Sequence, residues 1–142
     1  MKNSNFLYRP FFEHSWVIVR IWLGIAFINH GLPGIFNSDY MAGHAGMVEL
    51  YNIPFPEFTA YLSKGGELLG GILLLLGLFT RIGALIVILN MIIVLLFAMG
   101  DIFNDFQSEI SFTYLLIGIA IFLKGTTPFS LDYKRYGNPT IT

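Results

Sequence analysis

The sequence predicts an all-α fold, a transmembrane four-helix bundle with both termini in the cytoplasm, and three observations point to it. The 142 residues are 55% hydrophobic and only 12% charged, with a mean hydropathy of +0.68, whereas an ordinary soluble domain is about a quarter charged. Four apolar runs approach the roughly 20 residues that a helix needs to cross a hydrocarbon core about 30 Å thick. The few charges are also sorted along the chain by sign, as membrane insertion requires.

The first run spans about residues 16–36 (WVIVRIWLGIAFINHGLPGIF). It is too long for the apolar region of a signal peptide, and no small-x-small site follows promptly, so it is expected to be retained. The second, about 58–79, interrupts its leucines with Lys64, Glu67 and two glycine pairs. The third, about 82–99, contains no charge; a buried helix of a soluble bundle would show a polar stripe at the 3.6-residue period. The fourth apolar stretch is short, so its helix is expected to reach back to Glu109 or further, spanning about 109–124. The whole chain, 1–142, is expected to form one membrane domain. The segments between and after the spans are read as loops and a short polar tail with a turn-forming Gly-Asn-Pro.

Lys2, Arg9, Arg81, Lys124, Lys134 and Arg135 fall on one side of these spans, six of the eight cations. Asp39, Glu49, Glu57, Asp101, Asp105 and Glu109 fall on the other, with Lys64 as their nearby cation. The positive-inside rule then puts both termini in the cytoplasm and the acidic loops outside. The acidity itself is what a translocated loop free of Lys and Arg looks like, and the stretch from Asp101 to Glu109 lacks a calcium-loop pattern.

Composition also excludes whole classes of function. A soluble enzyme core does not suit so apolar a surface, and eight Lys plus Arg against nine Asp plus Glu leave no basic excess for nucleic acid. The chain has no cysteine, so it holds no disulfide, thiolate zinc site, iron–sulfur cluster or CxxC pair.

Ionisable groups at membrane depth are costly and usually face the bundle interior with a partner. Arg20, His30, Glu67 and Asn90 are the polar groups inside the runs that mark a candidate site. Glu67 and His30 are the candidates for proton transfer, and Arg20, Glu67 and Asn90 for holding a polar head group. Arg20 and Glu67 are expected to pair, a long arginine side chain bridging a depth difference of about 8 Å; such a pair could equally serve only helix register. A metal held by His30, Glu67 and His44 is not expected, because no ExxH or HxxxH spacing occurs; a haem on His30 is a minor alternative. Gly65, Gly66, Gly70 and Gly71 around Glu67 present small faces for close helix packing. Gly31, Pro33 and Gly34 are expected to loosen or end the first helix. Aromatics near the span ends, such as Trp16, Phe58 and Tyr114, fit an interfacial belt.

Several of these residues form an ordered series. Arg20, Leu23-Gly24, Phe27 and His30-Gly31 are followed by Glu67-Leu68-Leu69-Gly70-Gly71, Leu76-Gly77-Leu78 and Thr80-Arg81, then Gly125 and Ser130-Leu131-Asp132. Together they resemble the DoxX family of four-helix bacterial inner-membrane proteins, over nearly the whole chain. The resemblance implies a multi-pass inner-membrane protein, non-catalytic or quinone-facing, associated with a quinone-linked oxidoreductase and its partner subunits. The implied cofactor is a quinone, with none held covalently. Other readings are a scaffold or assembly factor packing against another membrane or redox protein or against itself, and a small-molecule carrier. One departure is Gly34, where a basic residue often follows the His-Gly pair of the family.

Overall fold

A computed structural model describes residues 15–97 and 105–137. Within them the chain is helical and contains no strand: α1 (Trp16–Phe36), α2 (Ser38–Leu50), α3 (Pro56–Leu76), α4 (Thr80–Phe97), α5 (Phe106–Lys124) and α6 (Leu131–Tyr136). The helix boundaries follow from local chemistry. Pro56 opens α3, where its missing N–H costs nothing. Gly77, at φ +63°, closes it in a Schellman turn: the N–H of Leu78 donates to Leu73 O and that of Gly77 to Leu74 O. The carboxylate of Asp105 caps α5 by accepting from the Ser108 N–H at 2.9 Å.

Among the described residues three helices, α1, α4 and α5, are long and apolar enough to cross a membrane. Helix α3 has the same 21 residues as α1 but carries Lys64 and Glu67 near its middle, which lowers its hydropathy. The distribution of side chains differs from that of a water-soluble protein. Ile18, Trp22, Leu62, Leu69, Leu89 and Leu96 are exposed, whereas Arg20, Lys64, Glu67, Asn90 and Asp132 are buried. An exposed apolar belt around an interior that holds the charged groups suits lipid as the surrounding solvent. The protein is therefore a membrane protein.

Helix α1 runs against α3, α3 against α4 and α4 against α5, with α1 also meeting α5. Leu23, Phe27, Leu74, Ala84, Val87, Met91 and Ile121 form the apolar core between them. The α1–α3 contact is backbone on backbone. A Cβ on Gly24 would lie 2.7 Å from Leu75 N, and one on Gly71 would lie 2.7 Å from Ile28 N, so these two glycines set the distance between the helices. The body thus has two ends, one bearing α2 and the other α6.

Three features depart from the sequence-based expectations. The stretch after α1 is a helix, α2, because the Asn37 side chain accepts from the N–H groups of Asp39 and Tyr40 at 3.0 and 3.1 Å. Met41 and Val48 then bury against Ala60 of α3. Likewise Ser130 caps α6 in the tail, its Oγ accepting from Tyr133 N at 3.1 Å. Finally, α1 continues through Pro33 to Phe36 instead of loosening at Gly31. Gly31 and Gly34 are packing positions, the first against the Leu68 backbone and the second under the Lys64 side chain. The Asn138-Pro139 part of the expected terminal turn lies outside the described residues, as do Lys2, Arg9 and Asp101.

Candidate functional site

Near the midpoint of the helices α3 and α4 share a buried polar network. Glu67 Oε2 accepts from Lys64 Nζ at 2.9 Å, and Oε1 accepts from Asn90 Nδ2 at 3.1 Å. Asn90 Oδ1 in turn accepts from Ser63 Oγ at 3.0 Å. Lys64 and Glu67 are both 6% exposed, and they are the ion pair formed among the described residues. Their i,i+3 spacing puts them on one face of α3, and the aliphatic stem of Lys64 lies over Gly34, where any side chain would displace it. A buried charge pair is more tolerable when its remaining hydrogen-bonding capacity is served; Asn90 serves the second oxygen of Glu67, and Ser63 in turn holds Asn90.

This network is the floor of a cavity of about 480 Å³ that reaches towards the α2 end, within the size range of small-molecule sites. Phe27, Tyr114 and His30 form an aromatic wall: the Tyr114 ring meets Phe27 edge-on at 5.6 Å and His30 at 6.2 Å. Met47 and Val48 of α2 and Met91 and Val94 of α4 supply apolar lining. Helix α2 also brings in His44, whose Nε2 is buried and has no hydrogen-bond partner among the described residues. Burial, with the positive charge of Lys64 adding to it and that of Glu67 opposing, pushes the His44 pKa below the ordinary imidazole value. Asp105 lies at the rim, and the Ser108 hydroxyl and N–H hold its carboxyl below the usual carboxylate range.

His30, Glu67 and Asn90, three of the four residues singled out from the sequence, therefore line one cavity. Arg20 does not, and the expected Arg20–Glu67 pair does not form. The Arg20 guanidinium sits at the α6 end, where Nη1 donates to Leu74 O at 2.5 Å and Nη2 to Phe129 O at 3.1 Å. Leu74 is seven residues beyond Glu67 on α3, about 10 Å along the axis. The C-terminal carbonyls of α3 attract the cation there, while Lys64, one turn from Glu67, reaches the carboxylate without crossing that distance. The nearby carboxylate of Asp132 acts electrostatically on Arg20 and accepts hydrogen bonds from Phe79 N, Thr80 N and Thr80 Oγ1 at 2.8, 2.8 and 2.9 Å. Gly77 lies beneath the guanidinium and Ser130, where a Cβ would collide with both. The Leu-Gly-Leu, Thr-Arg and Ser-Leu-Asp segments thus converge on one lock between the α3–α4 turn and α6.

Lys64, Ser63 and Tyr114 were not foreseen as site residues. Lys64 reads from sequence as a cation near the outer loop, although its spacing to Glu67 was a visible signal of the pair. Ser63 and Tyr114 carry no such signal. His30, His44 and Glu67 line the same cavity, yet among the described residues no group of three or more His, Cys, Asp or Glu side chains is placed to hold a metal.

Comparison with known proteins adds two findings. The DoxX family pattern matches residues 15–100. The chain is also 30% identical over 135 residues to a protein of Bacillus subtilis (strain 168) named "Putative oxidoreductase CatD", an alignment covering 89% of this chain and 95% of the relative. No solved structure matches the chain. The match spans the glycine contacts of α1 and α3, the Lys64–Glu67–Asn90 network and Thr80, and the chain belongs to the DoxX family.

Proposed function

We propose that this protein is a four-span component of a redox complex in the bacterial inner membrane and that its cavity receives a quinone-type ring. The observation that carries the reading is the Lys64–Glu67–Asn90 floor: a hydrogen-bonded charge pair near mid-membrane, opening onto a cavity with an aromatic wall. Helix α3 counts as the fourth span because its two central charges neutralise each other inside the body. Arg81, Lys124, Lys134 and Arg135 lie at the α6 end, and Asp39, Glu49, Glu57 and Asp105 at the α2 end. The positive-inside rule puts the α6 end and both termini in the cytoplasm. Family membership, and the similarity to a Bacillus subtilis protein whose name denotes an oxidoreductase, support a redox role.

The residues fit a quinone. The cavity has room for a ring head group, the aromatic wall can stack against its face or edge, and Lys64, Asn90 and His44 bring hydrogen-bonding groups to it. A bound quinone would supply a couple that gains or loses two electrons and two protons. Glu67 holds a proton acceptor at the floor, with its orientation set by Lys64 and Asn90. His30, on the wall nearer the α2 end, is the second proton-exchanging group. With no cysteine in the chain, any thiol chemistry falls to a partner protein.

The test is calorimetric titration of the purified full chain in detergent with 1,4-naphthoquinone, alongside quinone-linked electron transfer in membranes. Binding by the wild type, weakened in Glu67→Gln, is the expected result. A wild type that takes up no naphthoquinone, with electron transfer indifferent to Glu67→Gln, would remove the quinone reading.

A further inference from the structure

The floor and wall leave one polar atom of the cavity unexplained. His44 Nε2 is buried, lines the same cavity as Glu67, and has no hydrogen-bond partner among the described residues. An orphaned buried polar atom costs about 1–3 kcal/mol, so one that persists in a native protein calls for a partner or a function. The groups facing His44 do not supply the partner. On α3, Lys64 and Glu67 are turned to each other, and on α4 Asn90 is held by Glu67 and Ser63. On α2 the Tyr40 ring stands 5.9 Å from the Lys64 ammonium, and on α5 the Asp105 carboxylate is taken by Ser108. His30 of α1 meets the Tyr114 ring of α5 edge-on.

Resting on the quinone-site reading above, we propose that His44 is the ligand-contacting group of this cavity, its Nε2 hydrogen-bonding an oxygen of a neutral planar ring, so that α2 carries the specificity of the site. Three features define the ligand class. The floor is electrically balanced, because the Lys64 and Glu67 charges meet at 2.9 Å, so a charged ligand would enter uncompensated. The wall of Phe27, His30 and Tyr114 selects a flat ring over a flexible chain. The unpartnered imidazole selects a ring that bears oxygen over a bare hydrocarbon, since a site built to hydrogen-bond a ligand discriminates strongly against the analogue that lacks the group. Helix α2 is well suited to deliver this contact. It is held to α3 by Met41 and Val48 on Ala60, and its Asn37 cap fixes where it begins.

The experiment measures binding of 1,4-naphthoquinone and of naphthalene, the same two rings without oxygen, to the full chain in detergent. It compares wild type, His44→Phe, His44→Gln and Glu49→Gln. His44→Phe keeps a ring of similar size and is expected to weaken naphthoquinone binding roughly tenfold while leaving naphthalene binding unchanged. His44→Gln, which keeps a polar end, is expected to stay within about threefold of wild type. Glu49→Gln, on the same helix and outside the cavity, is expected to match wild type. Naphthoquinone binding that is equal in wild type and His44→Phe overturns the role of His44 and leaves the quinone site standing. Equal losses in His44→Phe and His44→Gln, or a parallel loss of naphthalene, overturn the hydrogen bond as the cause. A wild type that binds neither ring removes the cavity reading itself, and this proposal with it.

Discussion

Replacing Asp132 by alanine tests how the two ends of the molecule divide their work. The Asp132 carboxylate is 5% exposed and accepts three hydrogen bonds, from the N–H groups of Phe79 and Thr80 at the start of α4 and from the Thr80 hydroxyl. It also supplies negative charge beside the buried Arg20. Hydrogen bonds to a charged group contribute about 1.5–3 kcal/mol each, and a buried donor left without its acceptor costs about 1–3 kcal/mol. These terms overlap, and water can reach part of the exposed turn, so the expected loss in Asp132→Ala is about 3–5 kcal/mol. Asp132→Asn keeps one acceptor oxygen and should lose roughly half as much. Reversible unfolding in mixed micelles, followed by far-ultraviolet circular dichroism, gives the number. The same variants should bind 1,4-naphthoquinone as wild type does under folding conditions, because Asp132 lies at the end away from the Glu67 cavity. A loss under about 1 kcal/mol would refute the lock, since it would mean that water replaces the carboxylate at no cost.

Two further outcomes follow from packing and charge. Gly71→Leu should prevent α1 from closing on α3, because even a Cβ would lie 2.7 Å from Ile28 N and 2.8 Å from Gly24 O. Gly65→Ala, with nothing within 4 Å, should be neutral or stabilising by up to about 1 kcal/mol, and micelle unfolding midpoints separate the two. Because burial and Lys64 hold the His44 pKa below its ordinary value of 6.5, the unfolded chain binds more protons there. Stability should be full above about pH 6.5 and fall as the pH drops below it, down to the lowered folded value. His44→Gln should flatten that slope in unfolding midpoints taken across the range, although Lys64, Glu67, His30, Tyr40, Asp105 and Tyr114 still face the position. An unchanged slope in His44→Gln would assign it to another group.

Part of the site was readable before any fold was known. Glu67 and Asn90 stand out because ionisable and amide groups are costly in lipid and must turn inward, and inward is where they meet; His30, marked by the same rule, is exposed on α1 but lines their cavity. The same logic misassigned Arg20. Depth along a helix axis can be estimated from residue counts, but a partner is chosen by short-range geometry, and Lys64 reaches Glu67 from one turn away while the α3 carbonyls and Phe129 O take the guanidinium. Lys64 does not stand out in the sequence because it lies close to the polar loop, although α3 carries it well inside. Helices α2 and α6 do not show in composition, because each is short and made by a side-chain cap, from Asn37 and Ser130.

Scarcity of charge, 12% of residues, settles from the residues alone that this chain lives in lipid, because transfer into hydrocarbon acts on composition and run length whatever the packing. The glycine spacing likewise announces that helices approach closely somewhere. Which helices approach, and which charges meet, depends on rotation and register, quantities set by contacts between residues far apart in the chain. Only the folded body brings Gly24 to Gly71, Asp132 to Thr80, and Ser63, Lys64, Glu67 and Asn90 to one floor beneath His44. Hydrogen bonds and close packing act over a few ångströms, and sequence spacing fixes positions at that scale only within a single helix.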